Sequence, residues 1–321
     1  MRHKCTLYKT TPNYYHRPNR RCSSTVERSF RKAEVVGPIP TIGSVDLREK
    51  YNSLEKILSD LQKVVLAYSG GVDSTLLLKV AVDTLGPENV IACIAISPSL
   101  AQSQHKQAVE LAKKIGATLK ELDLDEVSDP NYSANKADRC FHCKSHVYSI
   151  LTDVAKEEGF NHIICGHNLD DADDYRPGSR AAEVFKIRSP LAEAQMTKDD
   201  IRQLSRQLDL PTAELPASPC LASRISYGLE ITSQRLKQIE QAEEFLKQFG
   251  LVEFRLRHHD QLARIELNPD DFEKVMTEPA RSKIIRKIKA LGFKFVTLDL
   301  QGFRSGSLNE LLDNDEKQRN L

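Results

Sequence analysis

Two groups of residues in this chain have the types and spacing to do chemistry. The first is the run Ser69-Gly70-Gly71-Val72-Asp73-Ser74. Paired glycines allow backbone conformations and a closeness of approach that a Cβ would block. Consecutive N–H groups and the start of a following helix can then face phosphate oxygens. The Ser69 and Ser74 hydroxyls add donors, and Asp73 offers the carboxylate oxygen that Mg²⁺ prefers. No Gly-Lys-Ser/Thr follows, so this is not a Walker A loop. The plain alternative is a glycine-rich turn that binds nothing.

The second group is built from cysteine. Arg139-Cys140-Phe141-His142-Cys143-Lys144 is a C-x-x-C with basic neighbours, which are expected to lower the thiol pKa values. A third cysteine, Cys220, lies in Pro219-Cys220-Leu221-Ala222-Ser223-Arg224. A lone C-x-x-C is redox, zinc-binding or structural. A zinc site would need another ligand, for which His142 or His146 is available. Three thiolates around a [4Fe–4S] cluster would leave one iron open for chemistry. Cys93 and Cys165 sit in apolar runs and read as buried, inert thiols. Further on, Arg255 and Arg257 alternate and so share one strand face, as do Arg264 and Glu266. The bland reading is a solvated, salt-bridged sheet face, and His258-His259 reads as merely polar.

The elements that must position these groups alternate. A helix around Leu54–Leu61 precedes an apolar strand from Val64 to Tyr68. Helix from Ser74 to Leu85, strand from Val90 to Ile96, helix from Ser103 to Ile115 and strand from Thr118 to Leu122 follow. A helix from His146 to Glu158 and a strand from Asn161 to Cys165 complete the series. This rhythm predicts an α/β fold with a parallel sheet covered on both faces. Ligands of such sheets sit at the carboxyl ends of the strands, where residues 69–74 fall. Thr197-Lys198-Asp199-Asp200 reads as a capping box opening a helix. Residues 211–231 form a long Pro/Ser/Gly-rich loop, and such loops are often functional. Beyond it, an amphipathic helix from Thr232 to Phe249 and strands at 254–257, 262–267 and 295–300 predict a smaller α+β unit. The expected division is residues 1–46 as an extension outside the fold, 47–210 as the nucleotide domain, 211–231 as the functional loop and 232–321 as a substrate-binding and oligomerisation domain.

Composition narrows the function. The 321 residues are 40% hydrophobic and 28% charged, ordinary for a globular protein. No apolar run approaches the roughly 20 residues of a membrane span. Residues 1–32 hold nine Lys/Arg and one acid, a surplus of eight; removing it from the overall +1 leaves the body near −7. That sign disfavours a nucleic-acid partner. Residues 1–46 read as a disordered tail, an over-extended start, or an Arg- and Ser-rich transit peptide. Seven cysteines, an odd number, point to a reducing, cytoplasmic setting rather than a disulfide framework.

Residues 49–309 resemble the LarE family. The resemblance is carried by residues 69–74, the C-x-x-C, Asp173-Asp174-Tyr175-Arg176-Pro177-Gly178, residues 219–224 with Tyr227-Gly228, and Thr297-Leu298-Asp299-Leu300-Gln301-Gly302-Phe303-Arg304-Ser305-Gly306. It implies a PP-loop domain of the N-type ATP pyrophosphatase, adenine nucleotide α-hydrolase-like type. Such a domain binds ATP and Mg²⁺ and releases AMP and pyrophosphate. Members adenylylate a carboxylate of pyridinium-3,5-biscarboxylic acid mononucleotide and convert it to a thiocarboxylate, on the way to the nickel-pincer nucleotide cofactor of lactate racemase. Some sacrifice a cysteine sulfur. Others resemble this chain, with three cysteines around a [4Fe–4S] cluster that carries an extra sulfide; here these would be Cys140, Cys143 and Cys220. Pro219 stands where the sacrificial members have their donor cysteine, which favours the cluster route. The resemblance further implies phosphate binding by Arg255 and Arg257, acidic residues nearby at Glu243 and Glu266, substrate orientation by Arg224, and a homo-oligomer, the hexamer of family members. Two rivals stand beside this reading: a PP-loop tRNA thiolation enzyme and a non-catalytic nucleotide- or metal-sensing module.

Overall fold

A computed structural model describes residues 45–172 and 177–313. Of the expected extension, residues 1–44 lie outside the described residues, as do Asp173–Arg176 of the DDYRPG motif, while residues 45 and 46 already belong to the first helix. In chain order the elements are α1 (Val45–Leu61), β1 (Val64–Ala67), α2 (Val72–Leu85), β2 (Val90–Ile96), α3 (Gln102–Ile115), β3 (Thr118–Asp123), α4 (Pro130–Ser133), α5 (Arg139–Glu158), β4 (His162–Cys165), α6 (Pro177–Val184), α7 (Pro190–Glu193), α8 (Lys198–Gln207), α9 (Ser233–Lys247), β5 (Phe254–His259), β6 (Leu262–Leu267), α10 (Phe272–Met276), α11 (Ala280–Ala290) and β7 (Phe295–Leu298).

The first four strands form a parallel sheet in the order β3-β2-β1-β4. Successive residues of a strand point to opposite faces, and both faces here are covered. Val64 and Leu66 join a core with α1, α2, α3 and α8, while Val65 joins the opposite core with α5 and α6. β1 is central, so its residues are apolar without alternation. The capping box is formed as the residues dictate: Thr197 Oγ1 accepts from the Asp200 amide, and Asp200 accepts from the Thr197 amide at 2.9 Å. Lys50 of α1 reaches Asp200 at 2.9 Å and fixes α8 against α1.

The second sheet pairs β5 with β6 antiparallel and β6 with β7 parallel. Its core takes Leu236, Ile239, Ala242 and Leu246 from α9 and Ile284 and Ile288 from α11. It also takes Tyr132, Leu221, Ala222 and Ile225, so the loop carrying Cys220 is packed into this core rather than hanging free.

One boundary differs from expectation with consequences for the site. The helix expected from His146 starts seven residues earlier, at Arg139. Its first two turns are largely polar and mostly half-exposed, so the apolar periodicity begins late although the helix does not. Among the described residues no helix is long and apolar enough to cross a membrane.

Candidate functional site

The phosphate loop follows β1 at the carboxyl edge of the parallel sheet, where ligands of such folds bind. Gly70 has φ +74°, and a Cβ there would lie 2.6 Å from the Cβ of Ala108 on α3, so both backbone and packing require glycine. Gly71 differs: it has φ −75°, caps α2 and has only the Ser69 hydroxyl near an added Cβ. Its lack of a side chain leaves the cradle open. The two serines brace the loop, with Ser69 Oγ and Ser74 Oγ 3.0 Å apart and the Gly71 amide donating to Ser69 Oγ at 3.4 Å. No side chain caps α2, which leaves first-turn N–H groups for an anion. From the other side, a Cβ on Gly166 would meet the Ser74 amide nitrogen at 2.9 Å, so the end of β4 closes directly on the loop.

Asp73 is not a free carboxylate. Lys198 Nζ donates to one oxygen at 2.6 Å and Asn168 Nδ2 to the other at 3.2 Å. The sequence reading gives Asp73 to Mg²⁺; in the folded chain the same carboxylate is paired with Lys198. Residue type and spacing mark neither Lys198 nor Asn168 for this role. Lys198 falls inside the capping box and reads from sequence as helix punctuation. Asn168 is buried in the turn after β4, its amide donating to Asp171 Oδ2 at 3.1 Å.

The helix after β3 must begin at the carboxyl edge of the sheet, and α5 therefore presents its first turn there. Cys140 and Cys143 lie one turn apart on neighbouring positions of that helix. Cys220 arrives from the loop. The Leu221 amide donates to the carbonyl of Ser99, beyond β2, at 2.8 Å, and the Ser99 and Tyr132 hydroxyls pair at 2.6 Å. The loop's other side is held by α5 and the residues before it. Asn135 Nδ2 donates to the Ser226 and Leu229 carbonyls at 2.8 and 2.9 Å, and Arg139 Nη1 to the Ala222 carbonyl at 3.1 Å. All three thiols are free; Cys140 and Cys220 are exposed and Cys143 half-buried. The expected lowering fails at Cys143. Burial, then the nearby Cys220, push its thiol up to about 12, with Lys144 opposing and Cys140 adding a smaller push. The three sulfurs thus share one electrostatic neighbourhood.

Among the described residues no three His, Cys, Asp or Glu side chains stand at the spacing of a single metal ion. His142 faces Asp138 at 3.3 Å and His146 faces Asp129 at 3.4 Å, so neither is turned to the cysteines as a zinc ligand. Gly178, at the described end of the DDYRPG motif, lies against this turn: its Cβ would be 3.1 Å from Lys144 Cγ and 4.0 Å from Cys140 Cβ. Cys165 is buried but is not a merely packed thiol. Burial raises it, yet hydrogen bonding and charge from His167, with a 3.4 Å contact to Ser189 Oγ, bring it down to about 7.

On the second sheet Arg255 and Arg257 overturn the solvated-face reading, since both are buried, and Arg224 of the Cys220 loop is buried beside them. Arg257 pairs with the fully buried Glu266 at 2.8 Å and donates to the Ser223 carbonyl at 3.2 Å. Glu266 also receives Arg264 at 3.0 Å and Ser307 Oγ at 2.7 Å. Arg224 pairs with Glu243 at 3.1 Å and donates to the Cys220 carbonyl at 3.1 Å. Arg255 has no carboxylate partner among the described residues. It donates to the carbonyls of Phe254 (2.6 Å) and Ala217 (2.5 Å) and lies over the Phe303 ring. Burial, then the like charge of Arg224, bring it down to about 10. His258 is buried too, its Nε2 3.1 Å from Gln238 Oε1, and burial lowers it to about 4. The Cys220 loop is therefore held from β5 at Ala217 and Ser223 and from α5 at Ala222. The surplus positive charge lies at Arg255 and Arg139.

Known proteins resemble this chain in sequence. The family model described as NAD synthase covers residues 47–144, the stretch containing the phosphate loop. An uncharacterized protein of Synechocystis is 42% identical over 83% of this chain and 99% of its own length. The pyridinium-3,5-bisthiocarboxylic acid mononucleotide synthase of Lactiplantibacillus plantarum is 38% identical over 83% of this chain and 96% of its own. An uncharacterized protein of Methanocaldococcus jannaschii is 34% identical over 81% and 97%. The matches span both sheets and the loop between them, and on that extent the chain belongs to the LarE family of PP-loop proteins, which includes the Lactiplantibacillus synthase.

Proposed function

We propose that this protein is an AMP-forming, ATP-dependent sulfur transferase that adenylylates a carboxylate of pyridinium-3,5-biscarboxylic acid mononucleotide and converts it to a thiocarboxylate. The observation that carries the reading is the similarity to the synthase named for that product over 96% of its length. ATP binds residues 69–74, its phosphates on the α2 N-terminus and the Gly70–Gly71 backbone. Asp73 is the hard oxygen donor at hand for Mg²⁺, but only after Lys198 leaves it. Lys198 then becomes a cation for the phosphates, so nucleotide binding exchanges one partner of Lys198 for another.

The substrate carboxylate attacks the α-phosphorus and pyrophosphate leaves. Adenylylation turns a carboxylate oxygen into a leaving group and the carbon into an electrophile. Arg255, the least neutralised arginine of the second sheet, receives the substrate phosphate with a guanidinium fork suited to it. Arg257 holds Glu266 and the loop carbonyl of Ser223 and supports that site. Arg224, tied to the Cys220 carbonyl, steadies negative charge near the reacting carboxylate.

The donor set of three free thiols suits a [4Fe–4S] cluster, which Cys140, Cys143 and Cys220 would hold. When bound, the cluster supplies a transferable sulfide. A homohexamer and delivery of the product toward lactate racemase maturation belong to the same reading. The test is anaerobic reconstitution followed by turnover with ATP, the mononucleotide and sulfide. AMP and thiocarboxylate in equal amounts, beyond one per chain, support it. Dehydroalanine at position 220 in active, iron-free protein would replace cluster chemistry with sacrifice of Cys220. Absence of AMP with this substrate would remove the substrate assignment.

A further inference from the structure

Arg139 is a buried guanidinium at the start of the helix that carries Cys140 and Cys143, and its hydrogen-bond acceptors are neutral. Nη1 donates to Asn135 Oδ1 at 2.5 Å and to the Ala222 carbonyl at 3.1 Å, and the group lies 5.7 Å from the Tyr227 ring centre. Only 5% of the residue is exposed, and among the described residues no carboxylate forms an ion pair with it. A desolvated charge without a counter-ion is costly, and folds retain one where something opposite in sign completes it. Every other buried arginine that grips the Cys220 loop has a different arrangement. Arg224 and Arg257 each have a glutamate, and Arg255 approaches the loop from the far side, at Ala217. Cys140 follows Arg139 directly in α5, and Cys220 stands two residues before the Ala222 carbonyl that Arg139 holds.

We propose that Arg139 is the counter-ion of an anionic sulfur centre formed by Cys140, Cys143 and Cys220, and the residue that positions Cys220 against the first turn of α5. Two jobs meet in one side chain. Its hydrogen bond to Ala222 sets where the Cys220 loop stops, and Asn135 Oδ1, fixed by the carbonyls of the same loop, orients the fork. Its charge supplies what the thiol set lacks. Three thiolates outweigh the dicationic core of an oxidised four-iron cluster, and a bound sulfide adds further negative charge. A lysine would keep the charge and lose the fork; a neutral residue would lose both.

The proposal rests on the sulfur-transfer reading of this site, and its test separates the two. Full-length wild type is compared with Arg139→Lys and with two neutral variants, Arg139→Gln and Arg139→Met, so that one neutral variant suffices if the other does not fold. Folding is checked by circular dichroism. In the iron-free proteins, limited proteolysis of the Cys220 loop, residues 211–231, is followed by peptide mass spectrometry. The neutral variants should be cut there on the order of tenfold faster than wild type, because the Arg139–Ala222 hydrogen bond is lost, with Arg139→Lys between them. In proteins reconstituted with iron and sulfide, the neutral variants should either retain no cluster or show a lower midpoint potential. A tenfold change in the reduction equilibrium is about 59 mV for one electron. Unchanged cleavage in a folded neutral variant overturns the proposal, and so does a loaded neutral variant with unchanged potential. Wild-type protein that takes up no iron removes the cluster reading and leaves the cleavage rates to decide the role of Arg139.

Discussion

Arg255 and Arg257 stand two residues apart on β5, yet their replacement by alanine should fail in different ways. Arg257→Ala removes the partner of Glu266, which is fully buried and met by Arg257 at 2.8–2.9 Å. Breaking a buried pair from one side costs about 3–5 kcal/mol. Here the loss falls at the lower end, about 3 kcal/mol, because Arg264 and Ser307 still satisfy the other oxygen. At about 2–4 °C per kcal/mol for a protein of this size, the melting temperature drops by roughly 6–12 °C. Arg255→Ala breaks no ion pair and relieves a like-charge contact with Arg224. Its structural loss is two hydrogen bonds to carbonyls, about 1 kcal/mol each, offset by that relief. Its functional loss is a charge-assisted contact to the substrate phosphate, about 1.5–3 kcal/mol, a weakening of roughly 10- to 150-fold. The assay pairs thermal melting with calorimetric dissociation constants for the mononucleotide and for ATP. Arg255→Ala should bind the mononucleotide poorly, bind ATP normally and melt near wild type. If Arg257→Ala melts normally, or Arg255→Ala weakens both ligands equally or neither, the division of labour drawn from these contacts is wrong.

Asp73→Ala should abolish pyrophosphate release and barely change melting, since its part-exposed pair with Lys198 is worth no more than about 1 kcal/mol; near-normal turnover would refute its role. Lys198→Ala should lower pyrophosphate release with the fold intact, and unchanged apparent ATP affinity and rate would return Lys198 to helix punctuation. Replacing any of Cys140, Cys143 and Cys220 by alanine should remove both iron, about four per loaded chain, and thiocarboxylate formation, whereas Cys93→Ala should keep both; retained iron in any of the three single variants would break the ligand assignment. His258 is lowered to about 4 from an ordinary value of 6.5. The folded state therefore favours its neutral form, and that contribution is complete above pH 6.5 and lost as pH falls toward 4. It amounts to on the order of 3 kcal/mol. Melting from pH 7 to 4 should fall less steeply in His258→Gln than in wild type, and equal slopes would contradict this assignment.

Much of the nucleotide-binding half can be read from residue order alone. Val64-Val65-Leu66 specifies a strand buried on both faces, and Gly70 specifies a positive φ. Helix and strand alternate because apolar spacing switches between a period of 3.6 and short continuous runs. Thr197 and Asp200 form their capping box because the motif is local: every group involved lies within three residues. The sulfur-bearing half resists such reading because its logic is not periodic. The first turns of α5 are polar, so apolar spacing begins only after the cysteines and hides the helix that carries them. Arg255 and Arg257 alternate as solvent-facing residues do, but β5 packs beneath the Cys220 loop and buries them against Ala217 and Ser223. Lys198 lies 125 residues from Asp73 and meets it only because the end of β4 and the start of α8 converge on the phosphate loop. The sequence by itself determined which residues could bind phosphate and hold sulfur, because residue type and short spacing set donors, acceptors and turns. The tertiary structure decided which charges neutralise one another and which are left over, because burial and the partners of a charge depend on segments that meet only when the chain is folded.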